Sequence, residues 1–270
     1  APYWVSYVQQ VRLAGATPVV VSSTLEEDWK PPVERIAAAI TTRTRLLIFS
    51  SPCNPSGSVL SRTEMEELAE VVARHKDLYV IADEIYEHIV FDGRPHISMY
   101  TLPGMAERTV KIGSAGKTFS LTGWKVGYIT AHPDLLQPIV KAHQFLVFTT
   151  PPNLQAAVAY GLGKEEGYFT GLGVEMQRRR DRLAVGLSAA GLAVLPCQGT
   201  YFLNIDIQAS GFNGGDEAFC RHLVQEIGVA AIPVSAFYAE APETRVARFC
   251  FAKQDAVLDA AIEKIARAFR

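Results

Sequence analysis

Three apolar runs, each closing in a polar loop, limit the fold most. Thr44–Ser50 (TRLLIFS) leads into Ser51-Pro52-Cys53-Asn54-Pro55-Ser56-Gly57, a loop dense in turn formers. Leu78–Ala82 (LYVIA) is continuous rather than alternating, as in a strand buried on both faces. Val110–Gly113 (VKIG) follows a loop containing Gly93, Pro95 and Pro103. Between the first two runs, Ser61-Arg62-Thr63-Glu64 has capping-box spacing, and Met65, Leu68, Ala69 and Val72 recur at helical spacing. Strand–helix–strand alternation predicts an α/β fold, a mainly parallel sheet with helices on both faces.

The C-terminal third has a different pattern. A long helical stretch is expected near Glu165–Ala190, then short strands at Thr200–Ile205 and Arg245–Phe251 and helices at Gly215–Ile227 and Asp255–Phe269. This reads as a smaller α+β domain, with the boundary inside the long helix: residues 1–170 in a large domain and 171–270 in a small one. Arg178-Arg179-Arg180 reads as a solvated helix face, since no aromatic residue interleaves it.

Charge and composition exclude several functions. The 26 Lys+Arg against 28 Asp+Glu leave a net charge of −2, which argues against a nucleic-acid or anionic-membrane binder. No apolar run reaches the ~18–20 residues that span a bilayer, and Ala1-Pro2-Tyr3-Trp4 shows no secretory signal. Cys53, Cys197, Cys220 and Cys250 form no CxxC pair, so neither a disulfide framework nor a metal site is expected and a reducing, cytoplasmic compartment fits.

In open parallel sheets ligands bind beyond the carboxyl ends of the strands, which directs attention to Asn54, Asp83, Tyr86 and the loop from Gly113 to Lys125. Gly116-Lys117-Thr118 suggests a phosphate-binding P-loop, but position 111 is lysine where that motif needs glycine. Ser114-Ala115-Gly116-Lys117 matches SxxK, yet the SDN and KTG partners are lacking. Lys117, flanked by small residues, can be approached closely by a ligand. An amine that loses its proton more easily there can form a Schiff base, and Lys125 could supply the second cation or a phosphate contact. Singly, both could be surface lysines. Asp83 needs a partner once buried: a helix N-terminus, an ion pair or a pyridinium nitrogen. Tyr86 lies three residues on. Asn54 could be merely a turn residue. Arg248 could face water or clamp a carboxylate in a bidentate pair.

Taken in order, Asn54-Pro55-Ser56-Gly57, Asp83-Glu84-Ile85-Tyr86 and the run Ser114–Gly127 (SAGKTFSLTGWKVG) resemble the fold-type-I, class I/II aminotransferases that depend on pyridoxal 5'-phosphate (PLP). KTFSLTGWKVGY, the GTYF of Gly199–Phe202 and the ARFCFAK of Ala247–Lys253 are similar to the kynurenine/glutamine and methionine aminotransferase subgroup. The resemblance implies that Lys117 is the Schiff-base lysine that also moves the α-proton. It implies that Asp83 keeps the pyridine nitrogen protonated and that Asn54 and Tyr86 hydrogen-bond the phenolic oxygen. Ser114 and Lys125 are implied as phosphate ligands, Trp4 as the aromatic stacked on the ring, and Arg248 as the grip on the substrate α-carboxylate. The implied reaction moves an amino group between an aromatic, Gln-like or Met-like L-amino acid and a 2-oxo acid. A homodimer is implied too.

Family members carry about a hundred further residues before the equivalent of Pro2, including the N-terminal arm, part of the small domain and a phosphate-binding glycine loop. A chain with the present bounds is therefore expected to leave apolar surface exposed on its sheet. Two other activities fit the same residues: a β-eliminating lyase acting on cysteine S-conjugates, and a non-catalytic sensing domain of the kind that follows a DNA-binding helix-turn-helix.

Overall fold

The computed structural model describes residues 1–240 and 244–269. The first sheet has four strands in the order β1 (Leu46–Ser50), β2 (Tyr79–Asp83), β3 (Thr109–Ser114) and β4 (Gly127–Thr130). The first three are parallel, with Ser50 beside Asp83 and Asp83 beside Ile112, so the three strand ends that carry the motif loops lie together. β4 returns antiparallel at the edge. Lys125, in the left-handed region at φ 56°, turns the chain into it.

Between β1 and β2 lies α3 (Arg62–Ala73). Its capping box forms as the spacing predicts: Glu64 N–H donates to Ser61 Oγ at 3.2 Å, and Ser61 N–H donates to Glu64 Oε2 at 2.7 Å. Met65, Leu68, Ala69 and Val72 pack against Leu78, Val80 and Ala82 of the sheet. Burying such a side chain fully is worth ~1.5–3 kcal/mol.

A second sheet, antiparallel throughout, runs in the order β5 (Ala193–Val194), β6 (Phe202–Asp206), β8 (Val246–Cys250) and β7 (Ile232–Pro233). It is preceded by the long helix α7 (Glu166–Ala189) and packed with α8 (Asp216–His222) and α9 (Asp255–Ala268). α7 and α9 touch closely where Gly186 meets Ile262. The arginine run on α7 departs from the solvated face expected of it. Arg178 is half-exposed and pairs with Asp255, whereas Arg180 is largely buried, with both Nη atoms on Asp92 at 2.7 and 2.8 Å and Nη1 on Cys197 O at 2.9 Å. Helical geometry rotates consecutive residues to different faces, so three adjacent arginines cannot share one environment.

A clasp joins the sheets. Gly57 O accepts from the amides of Gln198 and Gly199, each at 2.9 Å, and Gly199 bridges to Val90. A side chain at Gly199 would lie 2.8–2.9 Å from Pro52, Ile89 O and Val59. Tyr86, Ile89 and Phe91, which follow β2, are buried in the same cluster as β6 and β8.

Candidate active site

The site forms where the ends of β2 and β3 face β6 and β8. β3 passes directly into the single-turn helix α4 (Ala115–Thr118), which carries Lys117. That turn requires glycine: a Cβ on Gly116 would lie 2.9 Å from Thr122 Cα. Thr122 Oγ1 closes the loop by donating to Gly116 O at 3.1 Å. Lys117 Nζ stands 5.9 Å from the Tyr86 ring and 5.3 Å from the Tyr201 ring, and donates to Tyr201 Oη at 2.7 Å.

Asp83, buried at the end of β2, accepts a hydrogen bond from the Tyr7 hydroxyl and a longer one from Ile85 N–H at 3.4 Å. Burial pushes its carboxyl above the ordinary value; Tyr7, the Ile85 amide and the charge of Lys117 pull against that push without cancelling it. Tyr7 lies on α1 (Ser6–Leu13), one turn after Trp4. Its own phenol is driven well up, first by burial and then by the neighbouring carboxylate.

Arg248, in the middle of β8, lies between two aromatic faces, 3.8 Å from the Phe202 ring centre and 4.6 Å from that of Phe237. Its Nη1 donates to Asn54 Oδ1, while its buried Nε has no partner. Among the described residues it makes no ion pair. Burial pushes its pKa down, with the Tyr86 phenol the largest opposing influence. A buried guanidinium with an unused donor is built to receive an anion. Asn204, opposite Arg248 on β6, donates to Pro55 O and Ser56 O at 3.0 and 3.1 Å and so fixes the Asn54 loop from below.

Five residues singled out in the sequence therefore converge: Asn54, Asp83, Tyr86, Lys117 and Arg248. Ser114 ends β3 and Lys125 lies on the connection that leads to β4, and among the described residues no side-chain hydrogen bond links either to those five. Lys125 is exposed. Trp4 is 41% exposed. It sits between Tyr3, whose amide donates to Phe237 O at 3.1 Å, and Tyr7 on Asp83. Tyr7, Tyr201 and Asn204 were not singled out. The signal for Tyr7 was helical spacing from Trp4; that for Tyr201 was its place in the GTYF run.

Behind Asp83, Glu84 is wholly buried and accepts from Ser98 Oγ at 2.9 Å and Met99 N–H at 3.1 Å, with His96 Nε2 at 3.0 Å. Glu87 lies with them, close enough to share an ion, but the Lys111 ammonium supplies the positive charge, 2.5 Å from Glu87 and 3.8 Å from Glu84. This knot fixes the start of the Asp83–Tyr86 turn.

The donor set fits a group with a basic ring nitrogen and an aldehyde. Asp83 is a buried carboxylate held by Tyr7 and Ile85, and among the described residues no carboxylate is bonded to the Lys117 amine. Such a donor set suits an amino-group transferase. The sequence profile of the family "Aminotransferase class I and II" matches residues 1–265, and the chain belongs to that family. It is 39% identical over 300 residues to the kynurenine–oxoglutarate transaminase of Dictyostelium discoideum, covering 98% of this chain and 69% of that one. To the methionine aminotransferase of Escherichia coli it is 38% identical over 269 residues, covering 98% and 68%. Among solved structures, the E. coli methionine aminotransferase superposes with a TM-score of 0.93 at 37% identity over 98% of this chain and 69% of that one. The N-succinyldiaminopimelate aminotransferase of Mycobacterium tuberculosis gives 0.91 at 40% identity, with the same coverage. The chain is an aminotransferase of the α/β, fold-type-I class.

Proposed function

We propose that this aminotransferase uses PLP to move the amino group between an aromatic or methionine-like L-amino acid and a 2-oxo acid. The observation that carries the reading is that Lys117, Asp83 and Arg248 gather around Tyr86, with Lys117 Nζ 5.9 Å from its ring. When bound, PLP supplies an electron sink for the pair left by removal of the substrate α-proton. Asp83 would face its ring nitrogen and hold the proton there. Asn54 and Tyr86 would hydrogen-bond its phenolic oxygen, Ser114 and Lys125 its phosphate, and Trp4 would cover its ring. Lys117 would anchor the group and afterwards hold or release a proton at Nζ. Arg248 would turn Nη1 and its unpartnered Nε toward the substrate carboxylate. The rings of Phe202 and Phe237 exclude water around that pair, which strengthens it. The aromatic lining, with relatives named for kynurenine and methionine, supports an apolar or aromatic substrate side chain.

The division near residue 170 belongs to the same reading: residues 1–170 carry the cofactor and 171–270 supply Arg248, so relative motion would sequester the reaction. A second copy of the chain is the proposed partner. α5 (Pro133–Leu146) has no buried residue, and Phe145 and Leu146 are 87% and 82% exposed, an apolar surface that water disfavours. Among the described residues no helix is long and apolar enough to cross a membrane, and the four unpaired cysteines support a cytoplasmic setting.

Borohydride reduction after addition of PLP, followed by peptide mass mapping, tests the assignment. The label is expected on Lys117, and Lys117→Ala is expected to abolish both label and turnover. Labelling at another lysine, or wild-type turnover in the variant, sinks it.

A further inference from the structure

Tyr201 immediately precedes β6, on the sheet opposite α4, yet it makes the one side-chain hydrogen bond recorded for Lys117 among the described residues. Its approach depends on an unusual backbone. Thr200 has φ +72°, in the left-handed region that a β-branched side chain rarely adopts. Such strain persists only where the surroundings over-determine it. Here they do. Thr200 is completely buried, its amide donates to Ile89 O at 2.9 Å, and its Oγ1 accepts from Phe202 N–H at 3.1 Å. Any side chain on Gly199 before it would meet Pro52, Ile89 O and Val59. The consequence is a divergence of neighbours: Phe202 lies against the Arg248 guanidinium, while Tyr201 reaches Lys117. The Tyr201 ring is itself braced edge-on by Tyr86 at 5.2 Å and by Phe202 at 4.6 Å.

We propose that Tyr201 is a positioning residue for Lys117: its hydroxyl holds the lysine amine on one trajectory, and the strained Thr200 maintains that aim. This rests on the reading of Lys117 as the cofactor lysine. A lysine has a flexible four-carbon stem, and a free amine on such a stem samples many directions. A phenol fixed by two aromatic neighbours narrows them. Reactivity at a carbonyl carbon depends steeply on that alignment. The arrangement also places the restraint on β6, so the sheet that carries Arg248's neighbour Asn204 sets the lysine's direction.

The test uses the full chain and two variants, Tyr201→Phe and Thr200→Gly. The first keeps the ring and removes only the hydroxyl. The second keeps the hydroxyl and relaxes the backbone. Cofactor-free protein is mixed with PLP, and the rate of forming the borohydride-reducible adduct on Lys117 is followed by peptide mass. Steady-state kcat and KM are then measured with methionine and an aromatic amino acid. Tyr201→Phe is expected to slow adduct formation and lower kcat by between about 10- and 100-fold. KM should stay within about twofold, because substrate binding is untouched. Thr200→Gly, which also leaves Phe202 N–H without its Oγ1 acceptor, is expected to slow loading by a smaller factor than Tyr201→Phe. Wild-type loading and kcat in Tyr201→Phe would overturn the proposal. So would a raised KM at unchanged kcat, which would make Tyr201 a substrate contact instead. Loading of Thr200→Gly at the wild-type rate would remove Thr200 from it. A wild-type chain that forms no adduct on Lys117 would instead overturn the cofactor reading, and this one with it.

Discussion

Asp83 shows how a buried carboxylate of the candidate site can oppose stability at a single residue. Its carboxyl is buried and its pKa lies above the ordinary value of 3.8, because desolvation outweighs the hydrogen bonds from Tyr7 and Ile85. A group whose folded pKa is raised binds its proton more tightly in the native state. Its ionisation therefore detracts from stability as the pH climbs from 3.8 through the folded value, and below 3.8 the cost is gone. Asp83→Asn in cofactor-free protein should raise the thermal midpoint at pH 7. The gain should shrink to nothing as the pH is lowered toward 3.8. Scanning calorimetry across that range checks it, and a lower midpoint at pH 7 would contradict the account. Much of this residue scale was readable in the sequence, because Asp83, Lys117 and Arg248 each stand where a strand or its adjoining loop exposes a charged group. Tyr7 and Tyr201 were not readable as site residues. A tyrosine in a helix or beside a strand reads first as packing, and only the fold brings those hydroxyls to Asp83 and Lys117.

Among the helices, the contact of α7 with α9 leaves little room. A Cβ on Gly186 would lie 2.5 Å from Ile262 Cδ1 and 2.7 Å from both its Cγ atoms. Gly186→Ala gains ~1 kcal/mol of helix propensity and incurs an overpacking penalty of ~1–3 kcal/mol. The net expectation is destabilisation by about 1 kcal/mol, read as a lower urea midpoint at unchanged slope. Combining it with Ile262→Val should restore most of the loss, since residues in contact do not act additively. Elements with strong local signals were found close to their true bounds. α3 begins at its capping box, and β2 occupies Tyr79–Asp83, one residue beyond the predicted run. β4, β5 and β7 were not anticipated. Two of them have only two residues, and the reversal into β4 depends on Lys125 adopting a left-handed conformation, which lysine does not advertise.

For the whole molecule, the exposed face of α5 and its following turn bears on assembly. Phe145 and Phe148 are 87% and 77% exposed, and neither has a counterpart to cover it within the described chain. If a second copy covers them, Phe145→Asp with Phe148→Asp should shift sedimentation from dimer to monomer at micromolar concentration. An unchanged sedimentation coefficient would exclude this face from the interface. The clasp at Gly199 acts at the same scale in another way. It packs against Pro52, Val59 and Ile89 O at once, and its neighbour Gln198 donates to Asp28 and accepts from Val59 N–H. Four stretches distant in sequence are thereby locked to one another's dimensions. Over generations of mutation, position 199 cannot wander alone. A library randomised there should return glycine almost exclusively, and varying 52 and 59 as well should not rescue alanine, because the Ile89 carbonyl still lies 2.9 Å from its Cβ, so the two halves of the molecule are held to one spacing.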